Sequence, residues 1–526
     1  MSKKLLKSTI VVSSMTFFSR ITGMIRDMAL AQVVGSSEVA DAFFVAFRIP
    51  NFLRRIFGEG AFSAAFVPVY SKIEVAGDEG KRRAFLALMA GRFGMILLAI
   101  TLIGVVAAPF LVMVIAPGFL GESEKYELTV SALRLTFPYL FFISLVAMAA
   151  GIFNSRNHFA VPAVTPVMLN LSLIAAVIWL VPIMANPAIA LATGVFVAGA
   201  VQLIFQLPFL ARERSLVWPR LRVGKSDKKP IDGEVNKVFR LMLPALFGVS
   251  VAQINMLINT LLASFLVTGS VSWLYYSDRL MEFPLGVFGI ALATVILPTL
   301  SKQQADTSSS LFSDTLDWAL RWVLLIVLPA SVALMVLAGP LLTTIFQYGA
   351  FTPTDVTMAS QSLVAFALGL IAFVVIKVLA PGFYARQDTR TPVRYAAIAM
   401  GVNAVLSLLL VWEFAHVGLA LATSVAALVN AALLFFGLYR RGIYQPLPGW
   451  WSLLLKVAVA SLVMGLVLWS GAGDTLSWIE SSLLHRLGWL SWLIVVGLGV
   501  YMVSLLSLGV KPWKMMLVEK IGEEGD

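Results

Sequence analysis

The chain has 526 residues, of which 59 % are hydrophobic and only 13 % are charged. Soluble globular proteins average about 45–50 % apolar and about 25 % charged residues, so this composition excludes an ordinary soluble domain. The net charge of +11 does not indicate nucleic-acid binding, because the basic residues lie between hydrophobic runs and form no single patch. The absence of cysteine excludes disulfides and thiol chemistry. We therefore interpret the chain as an integral membrane protein.

Apolar runs of membrane-spanning length, about 20 residues each, recur along nearly the whole sequence and predict an all-α protein. The basic start, Met1–Lys7, resembles a signal peptide, but the apolar run continues past Arg20 without a convincing cleavage site, so we interpret it as an uncleaved first span. Fourteen transmembrane helices are predicted, at 9–34, 38–70, 84–116, 127–151, 160–183, 187–211, 236–266, 270–300, 314–339, 355–384, 392–413, 416–439, 450–470 and 486–510.

The charges in the loops predict the orientation of these spans. Alternate loops are basic, whereas the other set contains one clear basic residue, Lys125. Because lysine and arginine accumulate in cytoplasmic loops, an even number of spans places both termini in the cytoplasm. We expect a multi-pass protein of the bacterial inner membrane, with the lipid bilayer as its surroundings.

An internal repeat organises the chain. Three segments recur 230 residues apart: Phe66–Lys72 with Ile296–Lys302, Phe153–Arg156 with Phe383–Arg386, and Ala190–Thr193 with Ala420–Thr423. Matches at one offset indicate a duplicated six-helix unit, and an even number of helices keeps the two copies in the same orientation. The predicted domains are a first bundle at 1–211, a basic cytoplasmic linker at 212–235, a second bundle at 236–440, and two further helices with a tail at 441–526.

Charge inside the first two spans is the strongest functional signal. An arginine at the bilayer centre costs about 2.5–3.5 kcal/mol on insertion scales, so such side chains must face water, protein or a ligand. Asp41, Arg48 and Arg55 recur every seven residues, which places them on one face of a helix. The charged or amide residues of these spans are Arg20, Arg26, Asp27, Asp41, Arg48, Asn51, Arg54, Arg55 and Glu59.

Two interpretations of this cluster remain open. In one, the carboxylates neutralise some arginines in a buried network that locks helices together. In the other, five arginines against three carboxylates leave positive charge that requires an anion, and guanidinium groups suit phosphate because they donate paired hydrogen bonds. On the second interpretation the substrate-binding residues are Arg20, Arg26, Arg48, Asn51, Arg54 and Arg55, and Asp27, Asp41 and Glu59 form a charge network around the cavity.

A smaller polar cluster occupies Tyr275–Pro284, which corresponds at the repeat offset to the region of Arg48. Arg279 and Glu282 are three residues apart on a predicted helix, so either they pair with each other or Arg279 completes the anion site with Glu282 in the charge network. The polar residues Gln253, Asn255 and Asn259 of the seventh span act as interhelical contacts or as additional donors.

Little other chemistry is visible. The three histidines lie far apart in sequence, which argues against a metal cluster. Gly224-Lys225-Ser226 ends like a phosphate-binding loop, but Pro219 replaces the glycine that the motif needs. We therefore predict a transporter and not an enzyme, with no metal or cofactor and with the membrane potential or an ion gradient as its driving force.

The polar segments of both halves resemble the MurJ (MviN) family of lipid II flippases, and the similarity extends over essentially the whole chain. The segments that carry it are Ser13–Arg20, Arg26-Asp27, Asp41–Phe47, Pro50-Asn51, Leu53–Arg55, Glu59–Phe62, Phe66–Pro68 and Tyr275–Pro284. The resemblance implies the multidrug/oligosaccharidyl-lipid/polysaccharide (MOP) exporter superfamily, with two six-helix bundles in a MATE-like V shape and two additional C-terminal helices.

The resemblance also implies a substrate, lipid II, the polyprenyl pyrophosphate-linked muropeptide used in peptidoglycan and cell wall biogenesis and in the maintenance of cell shape. Essential charges carried over from the family fall at Arg20, Arg26, Asp41, Arg54 and Arg279, with Asp27, Arg48, Arg55 and Glu59 as supports. The two added helices imply a groove for the lipid tail. Contacts with cell-wall synthesis proteins are compatible with this role. A sodium site is not assigned, because the seventh, eleventh and twelfth spans contain no acidic residue well inside them.

Three alternatives to this function remain. They are an ion-coupled drug exporter of the same superfamily, a flippase for another lipid-linked oligosaccharide, and a non-transporting scaffold for cell-wall enzymes. Exporters of cationic drugs favour acidic cavities, whereas the cluster described above is basic, which favours an anionic substrate.

Overall fold

The computed structural model describes residues 3–156, 158–222, 231–286, 296–297, 299–301, 303–304 and 309–512. Within these ranges, the side chains of 3–13, 57–59, 247–252 and 309–310 are not described. The predicted repeat positions Pro298 and Lys302 and the side chain of Glu59 therefore lie outside the described residues. The described part of the chain contains helices and no strand, which confirms the all-α prediction.

The chain forms two compact units, Met1–Ser272 and Trp273–Asp526. The domain bounds expected from the repeat, at 211, 235 and 440, stay a prediction. Helices of the first unit are α1 (Lys3–Val34), α2 (Glu38–Arg54), α3 (Ser63–Val75), α4 (Glu79–Val106), α5 (Ala108–Ile115), α6 (Ser123–Thr136), α7 (Tyr139–Ser155), α8 (Ala160–Ala175), α9 (Pro187–Arg212) and α10 (Ile231–Ala263). Wider π-helical turns, Arg55–Phe62 and Ala176–Leu180, extend α2 and α8.

Helix α11 (Ser270–Pro284) begins in the last residues of the first unit and continues in the second. The remaining helices are α12 (Ser309–Val336), α13 (Ala338–Phe346), α14 (Pro353–Tyr384), α15 (Arg390–Arg440), α16 (Trp450–Ala472), α17 (Thr475–Glu480) and α18 (Leu483–Ser507). Helix α15 contains a break at Ala415, where φ is 48° and ψ is −130°. This break lies at the boundary predicted between the eleventh and twelfth spans.

Local sequence explains where several helices begin. Asp78 accepts a hydrogen bond from the backbone N–H of Lys81 at the start of α4 (2.9 Å). Thr352 and Asp355 form a reciprocal capping box at the start of α14. Among the described residues, nine helical stretches are long and apolar enough to cross a membrane. The chain is therefore a multi-pass membrane protein.

The helix bounds repeat at the predicted offset. Helix α4 begins at Glu79 and α12 at Ser309, and both helices end 230 residues apart, at Val106 and Val336. The loop after α7 and the loop after α14 use the same backbone hydrogen bonds, Arg156 N–H to Phe153 C=O (3.1 Å) and Arg386 N–H to Phe383 C=O (3.0 Å). The two units therefore share one local structure, which confirms the duplication.

Prolines inside two helices free carbonyl groups that other helices use as acceptors. Pro50 has no N–H for the carbonyl of Ala46, and that carbonyl accepts a hydrogen bond from the hydroxyl of Thr136 (3.1 Å). Pro329 frees the carbonyl of Leu325 in the same way, and the hydroxyl of Tyr501 on α18 donates to it (2.6 Å). Because lipid offers no hydrogen bonds, such freed groups must be satisfied within the protein.

Two polar centres also fix the C-terminal helices to the second unit. The buried carboxylate of Asp317 on α12 accepts from the Tyr444 hydroxyl (2.9 Å), the Leu447 N–H (3.1 Å) and the Trp450 indole (2.6 Å). At the start of α18, the buried guanidinium of Arg486 donates to the carbonyls of Ile479, Ser481 and Thr343, at 2.6, 2.9 and 3.2 Å. Helices α16 to α18 therefore pack on α12 and α13 through specific polar contacts as well as apolar surface.

Equivalent loop arginines differ between the two units in their partners. Arg156 forms ion pairs with Glu74 (2.9 Å) and Glu213 (3.0 Å) while its side chain is 13 % exposed. Arg386, at the equivalent position, donates to the neutral amide of Gln304 (2.9 Å) in an exposed contact. The first unit therefore has a charged clamp between its loops where the second has one neutral hydrogen bond.

We predict that Arg156→Ala lowers stability more than Arg386→Ala, its repeat-matched control. Loss of Arg156 leaves two carboxylates in a partly buried site, at a cost of about 1.5–3 kcal/mol, whereas the exposed contact contributes at most about 1 kcal/mol. The measurement is the apparent melting midpoint of each detergent-purified variant. Equal shifts for the two variants would contradict the structural difference between the loops.

Candidate functional site

The heptad stripe predicted on α2 and the turn that follows it contacts α10 within the first unit. Arg48 donates from Nη1 to the hydroxyl of Thr260 (2.7 Å), and Arg55 donates from Nη1 to the side-chain carbonyl of Gln253 (3.4 Å). Both pairs are separated by seven residues on each helix and run in opposite directions along the chain, so the two helices are antiparallel along this row of contacts. Gln253 is thereby an interhelical contact, one of the two roles expected for it.

Asp41 forms the first member of the stripe and is only 1 % exposed. Its carboxylate accepts hydrogen bonds from the backbone N–H of Gly269 (2.8 Å) and Ser272 (3.0 Å) and from the Ser272 hydroxyl (2.6 Å). Ser272 lies in the first turn of α11, where unpaired backbone N–H groups favour an anionic partner. Asp41 therefore fixes the turn that leads from α10 into α11.

The cation beside Asp41 is Lys125 on α6, which is 2 % exposed. Its ammonium lies 3.5 Å from the Asp41 carboxylate, donates to the Thr268 hydroxyl (3.0 Å) and lies 4.3 Å from the centre of the Phe119 ring. A buried lysine needs such partners because the desolvation of an ammonium group is costly. Lys125 thus connects α2, α6 and the turn before α11.

Arg26 and Asp27 form a second buried centre, between α1 and α8. Asp27 accepts from Nε (2.9 Å) and Nη2 (2.6 Å) of Arg26, and Arg26 Nη1 donates to the side-chain carbonyl of Asn170 (3.0 Å). The amide nitrogen of Asn170 in turn donates to the Ser19 carbonyl and the Thr22 hydroxyl, both at 3.1 Å. The pair therefore has the ion-pair arrangement considered from the sequence, and a part for Arg26 in substrate binding stays a prediction.

The remaining polar residues of the first unit are half-buried. Arg54 donates from Nε to the side-chain carbonyl of Asn51 (2.9 Å), one helical turn earlier on α2. Arg20 lies on α1 with an intermediate exposure. The π-helical turn Arg55–Phe62 begins directly after Arg54, and such wide turns are frequent at functional sites because they redirect side chains.

In the second unit, Arg279 and Glu282 pair with each other at 2.8 Å on α11. The guanidinium carbon of Arg279 also lies 4.9 Å from the centre of the Tyr275 ring. This contact is the local pairing considered from the sequence. The predicted substrate-binding role of Arg279, like those of the first-unit arginines, stays a prediction.

Sequence reasoning missed several residues that hold these centres. Lys125 carried a signal, since it is the one clear basic residue in the loops predicted to be non-basic, but its pairing with Asp41 requires the fold. Asn170 and Thr260 carried no signal, because single polar residues inside spans are common interhelical contacts.

We predict that Lys125→Met is strongly destabilising because it leaves the Asp41 carboxylate buried beside an apolar side chain. Removing one member of a buried ion pair costs about 3–5 kcal/mol. Adding Asp41→Asn in the same chain removes the uncompensated charge, so the double variant is expected to be more stable than Lys125→Met. The measurement is the apparent melting midpoint across the double-mutant cycle; additive effects would exclude a direct coupling.

Comparisons with known proteins follow from this geometry. The family model described as "Lipid II flippase MurJ" matches residues 30–488. A probable lipid II flippase MurJ of Vibrio cholerae is 47 % identical over 519 residues, which cover 97 % of each chain. The lipid II flippase MurJ of Burkholderia cenocepacia is 38 % identical, with 96 % of this chain and 98 % of the relative covered.

Solved structures agree with the sequence matches. A lipid II flippase MurJ in an inward closed conformation superposes with a TM-score of 0.78 at 27 % identity, covering 94 % of this chain and 98 % of that chain. An inward-facing MATE family transporter of the MOP superfamily superposes with a TM-score of 0.66 at 14 % identity, covering 82 % and 97 % of the two chains, which shows a shared fold. On the extent and identity of these matches, the chain belongs to the lipid II flippase MurJ family.

Proposed function

We propose that this protein moves lipid II from the cytoplasmic to the periplasmic leaflet of the bacterial inner membrane by alternating access. The observation that carries the proposal is the family match over residues 30–488 together with 47 % identity to a full-length relative. The anionic pyrophosphate of such a substrate agrees with the excess of arginine over carboxylate in the first two spans. No chemical bond changes in this process, so the proposed protein is a transporter and not an enzyme.

The proposed topology has fourteen spans, two six-helix bundles and two added helices, with both termini in the cytoplasm. Duplicated helix bounds support two equivalent bundles. The alternation of basic and non-basic loops supports the orientation. Attachment of α16 and α18 to the second unit through Asp317 and Tyr501 supports a firmly held C-terminal pair, which we propose to line a groove for the polyprenyl tail.

Pyrophosphate binding is assigned to the half-buried arginines Arg20, Arg48, Arg54 and Arg55, with Arg26 and Arg279 as further contributors. Arg48, Arg54 and Arg55 each donate to a neutral oxygen, on Thr260, Asn51 and Gln253 respectively. A phosphate oxygen is a stronger acceptor than a hydroxyl or an amide, because charge-assisted hydrogen bonds are roughly twice as strong as neutral ones. These donors therefore have a reason to turn from helix contacts towards an anionic headgroup.

The proposed driving force is the membrane potential or an ion gradient. An elementary charge that crosses a potential of 100 mV changes in free energy by about 2.3 kcal/mol. A carrier that moves its arginines between the two sides of the membrane is therefore biased by the potential.

We predict that Arg54→Ala reduces the appearance of lipid II in the outer leaflet about 10-fold or more. A hydrogen bond to a charged group contributes about 1.5–3 kcal/mol, which corresponds to at least a tenfold change. The measurement uses cells in which the variant is the sole flippase copy, with an externally added lipid II-cleaving enzyme reporting accessible substrate. Arg54→Lys separates charge from the paired guanidinium donors and is expected to recover part of the activity.

Arg83→Ala is the matched control, because Arg83 is an exposed arginine on α4 outside the predicted binding set. The control is expected to flip lipid II at the parental rate. Parental flipping by a stable, correctly inserted Arg54→Ala variant would remove Arg54 from the proposed site.

A further inference from the structure

The segment that follows α9, residues 213–222, runs in an extended conformation along α4; we name it the strap. The chain turns into it at Arg214, whose φ of 51° is in the left-handed region that often ends a helix. The turn is closed by hydrogen bonds from the N–H of Ser215 and Leu216 to the carbonyl of Leu210, at 2.9 and 3.1 Å. Its first residues are therefore positioned by the end of a membrane-spanning helix.

Backbone contacts hold the far end of the strap on α4. The N–H of Arg220 donates to the carbonyl of Ala87 (2.8 Å), and Arg92 Nε donates to the carbonyl of Leu221 (3.3 Å). A Cβ at Gly91 would lie 2.1 Å from the carbonyl oxygen of Arg220, so glycine is required for this close approach. Arg92 also forms an ion pair with Asp232 on α10 (2.5 Å), which connects the strap to the next helix.

Side chains of the strap alternate between the protein and the outside. Ser215 is buried and Val217 packs against the apolar core of the first unit. The intervening side chains point outwards, with Leu216 45 % and Trp218 88 % exposed. Leu221 is also half exposed, so one side of a short extended segment presents three large apolar groups.

The charge on the outer surface of the strap is positive. Arg212, at the end of α9, and Arg214, Arg220 and Arg222 are all exposed. The one acidic residue in this stretch, Glu213, turns inwards and pairs with Arg156 (3.0 Å) and His158 (3.1 Å). The strap therefore combines an exposed tryptophan with four arginines whose nearest carboxylate in sequence is engaged elsewhere.

We propose that the strap is a binding surface for anionic lipid headgroups of the leaflet into which α9 opens. Tryptophan side chains favour the membrane–water interface, and basic clusters next to a membrane span attract anionic lipids. Because α9 is an apolar span that ends at Arg212, the strap begins at that interface. Trp218 and Leu216 enter the boundary between headgroups and acyl chains, and the arginines contact the phosphates.

The absence of cysteine from the sequence makes the test clean, since one introduced cysteine gives one label. The full chain with Leu216→Cys is labelled with bimane and placed in nanodiscs that contain brominated phosphatidylcholine, with or without phosphatidylglycerol. Brominated acyl chains quench a label at the lipid boundary. We expect quenching to increase about twofold when the anionic lipid is included.

Two further variants complete the experiment. Ala76→Cys places the label on an exposed residue just after α3 and is expected to show weak quenching that does not depend on lipid charge. In the Leu216→Cys chain, replacing Arg214, Arg220 and Arg222 together by glutamine is expected to abolish the response to phosphatidylglycerol. Because these side chains are exposed, the folding of this variant is checked by its elution as a single species.

Equal quenching at positions 216 and 76, or an unchanged response in the glutamine variant, would overturn the proposal. A label at 216 that is accessible in nanodiscs but shielded in native membranes would also overturn it, and would indicate a protein partner on the strap. Both results are independent of which substrate the protein carries, so they do not bear on the flippase assignment.

Discussion

Within a membrane, polar groups of a protein find their partners in the protein itself, because hydrocarbon supplies none. This constraint accounts for the contacts that hold the described structure together. Carbonyls freed by Pro50 and Pro329 accept from Thr136 and Tyr501. Asp41 is satisfied by two backbone N–H groups, a hydroxyl and Lys125. In each case a polar group that would be costly in lipid connects one helix to another.

The duplicated units share helix bounds and loop hydrogen bonds but differ in charge. At the offset of 230 residues, Arg26 corresponds to Met256, Asp41 to Val271, and Glu74 to Gln304. Main-chain geometry therefore persists between the copies while the ionisable groups are concentrated in the first. Such a division is expected if the fold needs only apolar packing and satisfied backbone groups, whereas the arginine cluster serves the transported anion.

Contacts of the arginine stripe unite the two interpretations that the sequence left open. Arg48 and Arg55 make helix contacts with α10, and these contacts are to neutral oxygens of Thr260 and Gln253. Arg26 has a carboxylate partner in Asp27 and is buried. The same family of residues therefore includes a buried ion pair with a structural role and half-buried donors suited to a phosphate.

The sequence by itself determined the all-helical membrane class, the duplication, the break near Ala415 and the family, because each depends on composition, periodicity or contiguous motifs. It also placed Asp41, Arg48 and Arg55 on one helical face. Tertiary structure alone decided what that face contacts: Lys125 meets Asp41 across 84 positions of the chain, and Arg26 meets Asn170 across 144. Partners so far apart in sequence leave no periodic signal, since packing of separate helices brings them together.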